Sequence, residues 1–533
     1  MSISAILSSL LKHAPTPGCI RLVDCVALVD ENILRTWEFA SSPIEEWTSG
    51  DSESRLKYSA ISYVWRGNPA TTPMSKDEIH LVVAGAEEGD PISLSVLRVA
   101  CTASLRHDKL SYWAIFRRAG FLWLDRLCIV QSSGEDKALQ ISHMYSIYKY
   151  CMQCLIPPGG IGRLVPLEEQ TSWASRAWTL QECLAPHRWA VLFEWSAGTG
   201  RITENTVFRV LQLDDRLRCG VAKFAHVLRA CTDGPMVFNT CSFETPLGEM
   251  RKLAIIAAGT TIDIRIFGKG LAHLYTLRSA RLTYQNVHGD AARRCYSVIW
   301  RCALIRTSSR PVDMIFSIMG LMGVRLNPKS FSANDRLGAT IALTRELPAR
   351  GYSADWLGMP ASIPHCPRMS TFPQFPETDV ADSAKYLICG KWTPAVTLDD
   401  WFLPADNIWA REGKYHYWAL ERVRGSIGDA GYLNFIRKAC VVKNQEEAGP
   451  GQDQNQAPAQ PSSLLASTDG ALHYTENAFG DRVDAFKLML IEEYGHGKFN
   501  VSGYFYVTGE NKKPCSPLGI SRLDCLVFRL SIF

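Results

Sequence analysis

Residues 58–67 read YSAISYVWRG, and the run AISYVW inside them (60–65) decides how the chain is read. It is short, apolar and without alternation, the pattern of a strand covered on both faces of a sheet. Residues 121–124 (FLWL), 154–156 (CLI) and 189–193 (WAVLF) repeat that pattern, and segments of helical period lie between them. The clearest of these is 137–151, where Ile141, Met144, Ile147, Tyr148 and Cys151 recur at helical spacing. It follows the polar start SSGED and stops before Pro157, Pro158, Gly159 and Gly160, which are strong loop punctuation. Strands alternating with helices predict an α/β domain over 55–195, a short and mostly parallel sheet flanked by helices.

Outward from that tract the patterning changes. Residues 1–54 form a lead-in whose Ile3, Ile6, Leu7, Leu10 and Leu11 fit a short amphipathic helix rather than a signal peptide. The stretch 196–350 reads as a helical middle region, including a capped helix after Pro311 in which Asp313 is a capping or first-turn acid. From 351 to 533, Pro, Trp, Tyr and Phe mix with short Val- and Ile-containing runs, which predicts a β-rich or irregular region. Within it, 445–463 (QEEAGPGQDQNQAPAQPSS) has too few apolar residues to offset its ordering entropy and is expected to be a disordered loop.

Composition excludes several function classes. The 533 residues carry 57 Lys+Arg against 53 Asp+Glu, a net charge of +4, too small to attract nucleic acid or an anionic membrane. No run approaches the roughly 20 apolar residues of a membrane helix. The 17 cysteines are scattered and odd in number, as expected of reduced thiols in the cytoplasm. Cys151 and Cys154 form a lone C-x-x-C with no second pair to close a tetrahedral zinc site, so no metal is expected. P-loop, H-E-x-x-H and G-x-S-x-G motifs do not occur. Gly159, Gly160 and Gly162 do not fit G-x-G-x-x-G and read as a plain turn.

Three blocks concentrate aromatic and polar residues near the expected strand ends: 58–67, 121–131 (FLWLDRLCIVQ) and 173–182 (WASRAWTLQE). In wording, order and spacing they resemble the heterokaryon incompatibility domain of filamentous fungi, whose blocks run Y-x-A-L-S-Y-x-W-G, W-I-D-A-L-C-I-x-Q and W-x-x-R-A-W-T-x-Q-E. The resemblance covers about residues 55–195. This sequence departs from the pattern at Arg66, inserted between Trp65 and Gly67, at Arg126, where alanine is common, and at Val130. The resemblance implies a role in fungal non-self recognition, growth arrest and cell death. It also implies a sheet distantly similar to Toll/interleukin-receptor-type domains, some of which cleave NAD with a single glutamate.

Asp125 directly follows FLWL, and Trp65 and Arg66 close AISYVW, which points them to one rim of a parallel sheet. On a helical wheel through the third block, Trp173, Ala177, Leu180 and Leu184 form the core stripe, with Glu182 and Trp178 opposite. Glu182 and Asp125 are therefore the candidate catalytic acids, with Trp65, Arg66, Arg176, Trp178 and Gln131 as candidate substrate-binding residues. A structural reading stands beside this one: Glu182 pairs with Arg176 or Arg188, and Trp178 packs under a neighbouring helix. Cys128, beside His143 or His187, is a weaker nucleophile candidate than a small core residue. No cofactor is firmly implied, and NAD enters as a substrate of the resembled chemistry. Self-association and an unidentified recognition protein are the expected partners. The function classes left open are a NAD-cleaving enzyme, an assembly module of the same pathway, and an inactive copy.

Overall fold

The computed structural model describes residues 19–40, 56–69, 78–106, 118–203, 207–214, 218–243, 253–268, 270–285, 296–349, 374–378, 384–388 and 390–398, and the backbone of further strands between 425 and 531. The chain divides into two compact units, one of residues 1–281 with 316–332, the other of 282–315 with 333–533.

The first unit is α/β and is built on one mixed sheet. It opens with β1 (Cys19–Asp24), α1 (Cys25–Asp30) and β2 (Thr36–Ala40), followed by β3 (Tyr58–Ile61). The short pair β4 (His80–Leu81) and β5 (Ile92–Ser93) leads into α2 (Leu94–Leu105). Next come β6 (Phe121–Trp123), α3 (Asp125–Cys128), α4 (Gly134–Tyr150) and β7 (Gln153–Ile156). A single 3-10 turn at Trp173–Ser175 precedes α5 (Ala177–Leu184) and β8 (Trp189–Glu194). The sheet then extends through β9 (Gly200–Thr203), β10 (Phe208–Asp214) and β11 (Cys219–Lys223). It ends, after α6 (Phe224–Asp233), with β12 (Met236–Phe243) and β13 (Leu253–Ile262); α7 (Leu271–Gln285) follows.

Across the eleven-stranded sheet the order is β13-β12-β9-β10-β11-β8-β7-β3-β6-β1-β2. Its centre is parallel: Ala60 of β3 pairs with Trp123 of β6 and with Cys154 of β7, and Cys154 pairs with Trp189 of β8. All four residues of β3 and of β7 are buried, which is why these strands read as continuous apolar runs. On either side the pairing becomes antiparallel, β1 against β6 and β11 against β8.

α4 begins three residues earlier than the periodicity predicts, because the Ser133 side chain accepts the backbone N–H of Asp136 and caps it there. Asp136 then turns inward, accepts the Val130 N–H and pairs at 2.9 Å with Arg21 of β1, both side chains being nearly out of solvent. The pair fixes the loop after β6 against the antiparallel flank of the sheet.

Two expectations need correction. The middle region is not helical throughout from 196: β9 to β13 lie within 200–262 with α6 between β11 and β12, and a mainly helical stretch begins only at Leu271. Half-buried Arg209 and Gln212 interrupt buried Phe208, Val210, Leu211 and Leu213, and β10 is paired antiparallel on both edges, with β9 and β11. The strand expected at 60–65 stops at Ile61, and the chain departs after Ser62, whose N–H still donates to the Leu155 carbonyl at 2.9 Å. The amphipathic lead-in helix and the low-complexity loop up to Pro461 and Ser462 lie outside the described residues.

The second unit contains α8 (Tyr296–Leu304), the first residues of α9 (Asp313–Met319) and α10 (Arg336–Ala349). Asp313 opens α9 as a first-turn acid. A hairpin of β14 (Lys385–Ile388) and β15 (Lys391–Pro394) follows. Beyond it, β16 (Gly425–Ile427), β17 (Tyr432–Arg437) and β23 (Leu526–Ser531) form one antiparallel sheet. β18 (Cys440–Val441), β19 (Ser463–Ser467), β20 (His473–Glu476), β21 (Arg482–Gly495) and β22 (Lys498–Thr508) form another.

Candidate functional site

Taken in chain order, the four parallel strands lie second, first, third, fourth across the sheet, so the order reverses between β3 and β7. Ligands of open α/β sheets bind beyond the carboxyl ends of the strands at such a reversal. What leaves those ends here is Ser62–Tyr63–Val64–Trp65 after β3, Leu124–Asp125 after β6, and Pro157–Gly160 after β7.

Ser62 and Tyr63 each hold one acid. The Ser62 hydroxyl donates to Glu182 Oε2 at 2.5 Å and accepts the indole N–H of Trp173 at 2.9 Å. The Tyr63 hydroxyl donates to Asp125 Oδ1 at 2.6 Å, and the Trp65 indole N–H donates to Asp125 Oδ2 at the same distance. Two carboxylates from separate elements thus meet consecutive residues of one strand end.

Asp125 opens α3 and also accepts its neighbour's backbone N–H, Arg126, at 2.7 Å. Burial pushes its carboxyl above the ordinary range, against the pull of those three donors and of the Arg126 guanidinium. Tyr63 is raised well above a free phenol by burial and by the Asp125 charge beside it. Tyr148 of α4, which donates to the Ile61 carbonyl at 2.7 Å, is raised by burial and then by the Glu182 charge. Burial at the end of β3 thus favours the neutral forms of Tyr63, Tyr148 and Asp125.

Arg126 is 1% exposed and binds backbone carbonyls of Asp90 and Ala86, while its guanidinium carbon lies 5.8 Å from the Trp65 ring centre. This brings the segment between β4 and β5 over the Trp65–Asp125 pair. Asp90 completes the connection by accepting the Gly67 N–H at 2.6 Å and donating its own N–H to the Trp65 carbonyl.

The glycines after β7 are more than a plain turn. A Cβ on Gly67 would collide with the Gly159 carbonyl, one on Gly159 with Val165, and Gly160 adopts φ +103°, which side chains rarely tolerate. The two loops at the strand reversal touch backbone to backbone because these positions are bare.

Among the expected site residues, Trp65 and Gln131 are brought to Asp125, and Glu182 is brought to the neighbouring Ser62. Gln131 uses its amide on the Asp125 carbonyl oxygen at 2.9 Å and is 5% exposed, so it braces the turn. Arg66 is exposed and donates to the Glu88 carbonyl at 2.8 Å. Arg176 is half-buried and extended, immediately before α5, and Trp178 is half-buried on its first turn.

That extended Arg176 corrects the helical wheel. Trp173 belongs to the 3-10 turn and not to α5, so the phase breaks between them. α5 buries Ala177 and every residue from Thr179 to Leu184, Glu182 included at 7% exposure. Glu182 does not lie on an open helix face. The sequence offers Ser62 and Tyr63 only as parts of a strand and Trp173 and Tyr148 only as core positions; the partner that Ser62 meets lies 120 residues away, and local pattern carries no trace of it.

Two cysteine readings also resolve. Cys128 is fully buried, receives the Leu124 N–H and has its thiol pushed up to about 12 by burial, which leaves no thiolate for nucleophilic work near neutrality. Cys151 donates to the Tyr148 carbonyl and is likewise raised to about 12. Among the described residues no group of three or more His, Cys, Asp or Glu is placed to hold a metal ion. No described helix is long and apolar enough to cross a membrane.

Comparison with known proteins gives one finding. Residues 58–160 match the family model described as heterokaryon incompatibility protein (HET), and that span contains β3, β6, β7 and Asp125. Neither the curated proteins nor the solved structures contain a match.

Proposed function

We propose, from the heterokaryon incompatibility domain carried at residues 58–160, that this chain acts in fungal non-self recognition as an effector that cleaves NAD. The observation that carries the enzymatic reading is the convergence of Glu182 and Asp125 on consecutive residues, Ser62 and Tyr63, at the reversal of the parallel strands. The distant resemblance of such domains to Toll/interleukin-receptor-type folds supplies the reaction class, as analogy.

In that reaction the bond between ribosyl C1′ and the nicotinamide nitrogen breaks, and its electron pair leaves with nicotinamide. The Glu182 carboxylate stabilises the oxocarbenium-like centre, and water adds to C1′, giving ADP-ribose and a proton released to solvent. Ser62 orients Glu182, and Trp65 offers a ring face for stacking.

The second reading is a non-enzymatic assembly module. It is favoured by the engagement of both Asp125 oxygens by Tyr63, Trp65 and Arg126, the pattern of a structural acid. Nicotinamide release from NAD by full-length protein at high concentration separates the two. The enzymatic reading expects release that falls roughly a hundredfold or more in Glu182→Gln, the scale of losing one preorganised group. No release from folded wild-type protein, or undiminished release from the variant, removes it.

A further inference from the structure

The hydroxyl that meets Glu182 is itself held by a second group. Ser62 is fully buried and its main chain is fixed, the N–H donating to the Leu155 carbonyl of β7 at 2.9 Å. Its side chain can still turn: a serine hydroxyl has one proton to give and two positions that accept, and the direction of the proton depends on what fills the others. The Trp173 indole is a donor only, and at 2.9 Å it fills one accepting position of Ser62. The hydroxyl proton is thereby left for Glu182 Oε2, 2.5 Å away. Bonds in a buried chain of this kind polarise one another, so the Trp173 donor also strengthens the bond from Ser62 to the acid.

The ring that carries this N–H is gripped from the other half of the sheet. Trp173 is fully buried; its ring meets Phe224, the first residue of α6, edge-on at 5.6 Å, and Phe267, in the segment after β13, at 5.1 Å. Those two rings also meet each other, at 5.2 Å, which closes the cluster. The main chain of Trp173 is tied on both sides. Its N–H donates at 3.4 Å to the Thr171 hydroxyl, which donates to the Ile266 carbonyl at 2.6 Å, and its carbonyl accepts the Thr179 hydroxyl at 2.7 Å. Thr179 lies on α5, the helix that carries Glu182. Trp173 thus reaches the acid twice, at the carboxylate through Ser62 and at the helix through Thr179. Its ring contacts with Phe224 and Phe267 come from beyond the matched span 58–160.

We propose that Trp173 is a positioning residue for Glu182, and that α6 and the segment after β13 complete the site by holding its ring so that Ser62 donates to the carboxylate. The assignment rests on the reading of Glu182 as the acid that faces the ribosyl centre. It gives the part of the sheet beyond β8 a task at the site: the parallel strands supply the acid and Ser62, and the extension supplies the grip on Trp173. Without that grip the Ser62 proton turns among several directions, and the carboxylate loses the fixed aim that stabilising a developing cation at C1′ requires.

Two measurements on the full-length protein test it, and the first needs no activity. Urea unfolding of Ser62→Ala, Glu182→Gln and the double variant gives their coupling as a ratio of unfolding equilibrium constants. In a Trp173→Phe background, which keeps a ring and removes the N–H, that ratio is expected to fall about fivefold, the scale of one neutral hydrogen bond. The second measurement is nicotinamide release from NAD. In Trp173→Phe, kcat is expected to be about tenfold lower with KM unchanged, and the loss is expected to vanish in the Ser62→Ala background. Phe267→Leu loosens the ring but keeps the N–H; it is expected to give a smaller loss with the same dependence on Ser62, and it carries both measurements if Trp173→Phe does not fold. Circular dichroism checks the fold of each variant. Undiminished coupling overturns the proposal, as does wild-type kcat in folded Trp173→Phe, or a loss of kcat that persists in the Ser62→Ala background. No release from wild-type protein removes the enzymatic reading alone, and the coupling then decides whether Trp173 positions the acid.

Discussion

Asp125 sits where its surroundings favour the protonated carboxyl. Burial raises its carboxyl in the folded chain, so the folded state binds the proton more tightly than the unfolded state does. The contribution of Asp125 to stability is then fully present below the free-aspartate range, about pH 4, and is lost as pH rises through the raised value. The stability of wild type minus that of Asp125→Asn, from urea titrations between about pH 4 and 7, is expected to fall steadily with pH. A difference that grows with pH would mean that Tyr63, Trp65 and Arg126 stabilise the carboxylate by more than its burial costs. At this scale the sequence was half legible. Asp125 and Trp65 could be placed because they follow short apolar runs, and their neighbour in the motif, Tyr63, could not, because its role depends on an acid 62 residues away.

The elements meet where the loops after β3 and β7 touch. Gly67 has the Gly159 carbonyl against the space a Cβ would fill, so Gly67→Ala must push the two loops apart. The expected cost is about 2 to 3 kcal/mol in urea unfolding, the scale of overpacking in a rigid contact. A variant as stable as wild type would show that the loops part easily. Strands β3, β6, β7 and β8 were readable because burial on both faces leaves an uninterrupted apolar run. The phase of α5 was not, because neither Pro nor Gly marks the extended Arg176 where the 3-10 turn ends and the helix begins.

Over the whole molecule, the strands from 200 to 262 were read as helix. Their less buried positions carry Arg, Gln and Thr, and a ladder partner such as β12, which pairs with β9, lies more than 30 residues further along the chain. Nor does composition mark the return of residues 316–332 to the first unit. That segment seats Gly320 against Tyr145 of α4 and the Gln181 side chain of α5, and Lys329 pairs with Glu135 at 3.2 Å. A fragment ending at Arg281 therefore lacks the cover of α4 and α5. It is expected to melt below a fragment ending at Ser332, by several degrees or more for a loss of a few kcal/mol. Equal melting temperatures would show that 316–332 adds nothing to the unit.

The same return has a consequence for a ribosome making the chain. Residues up to Arg281 are synthesised first, yet their unit cannot close until Ser332 has been added, about 50 residues later. At roughly 5–20 residues per second this is a delay of several seconds. Throughout it, the seat of Gly320 beside Glu182's own helix stays uncovered, so the nascent unit holding both acids is assembled late and exposed to chaperones meanwhile.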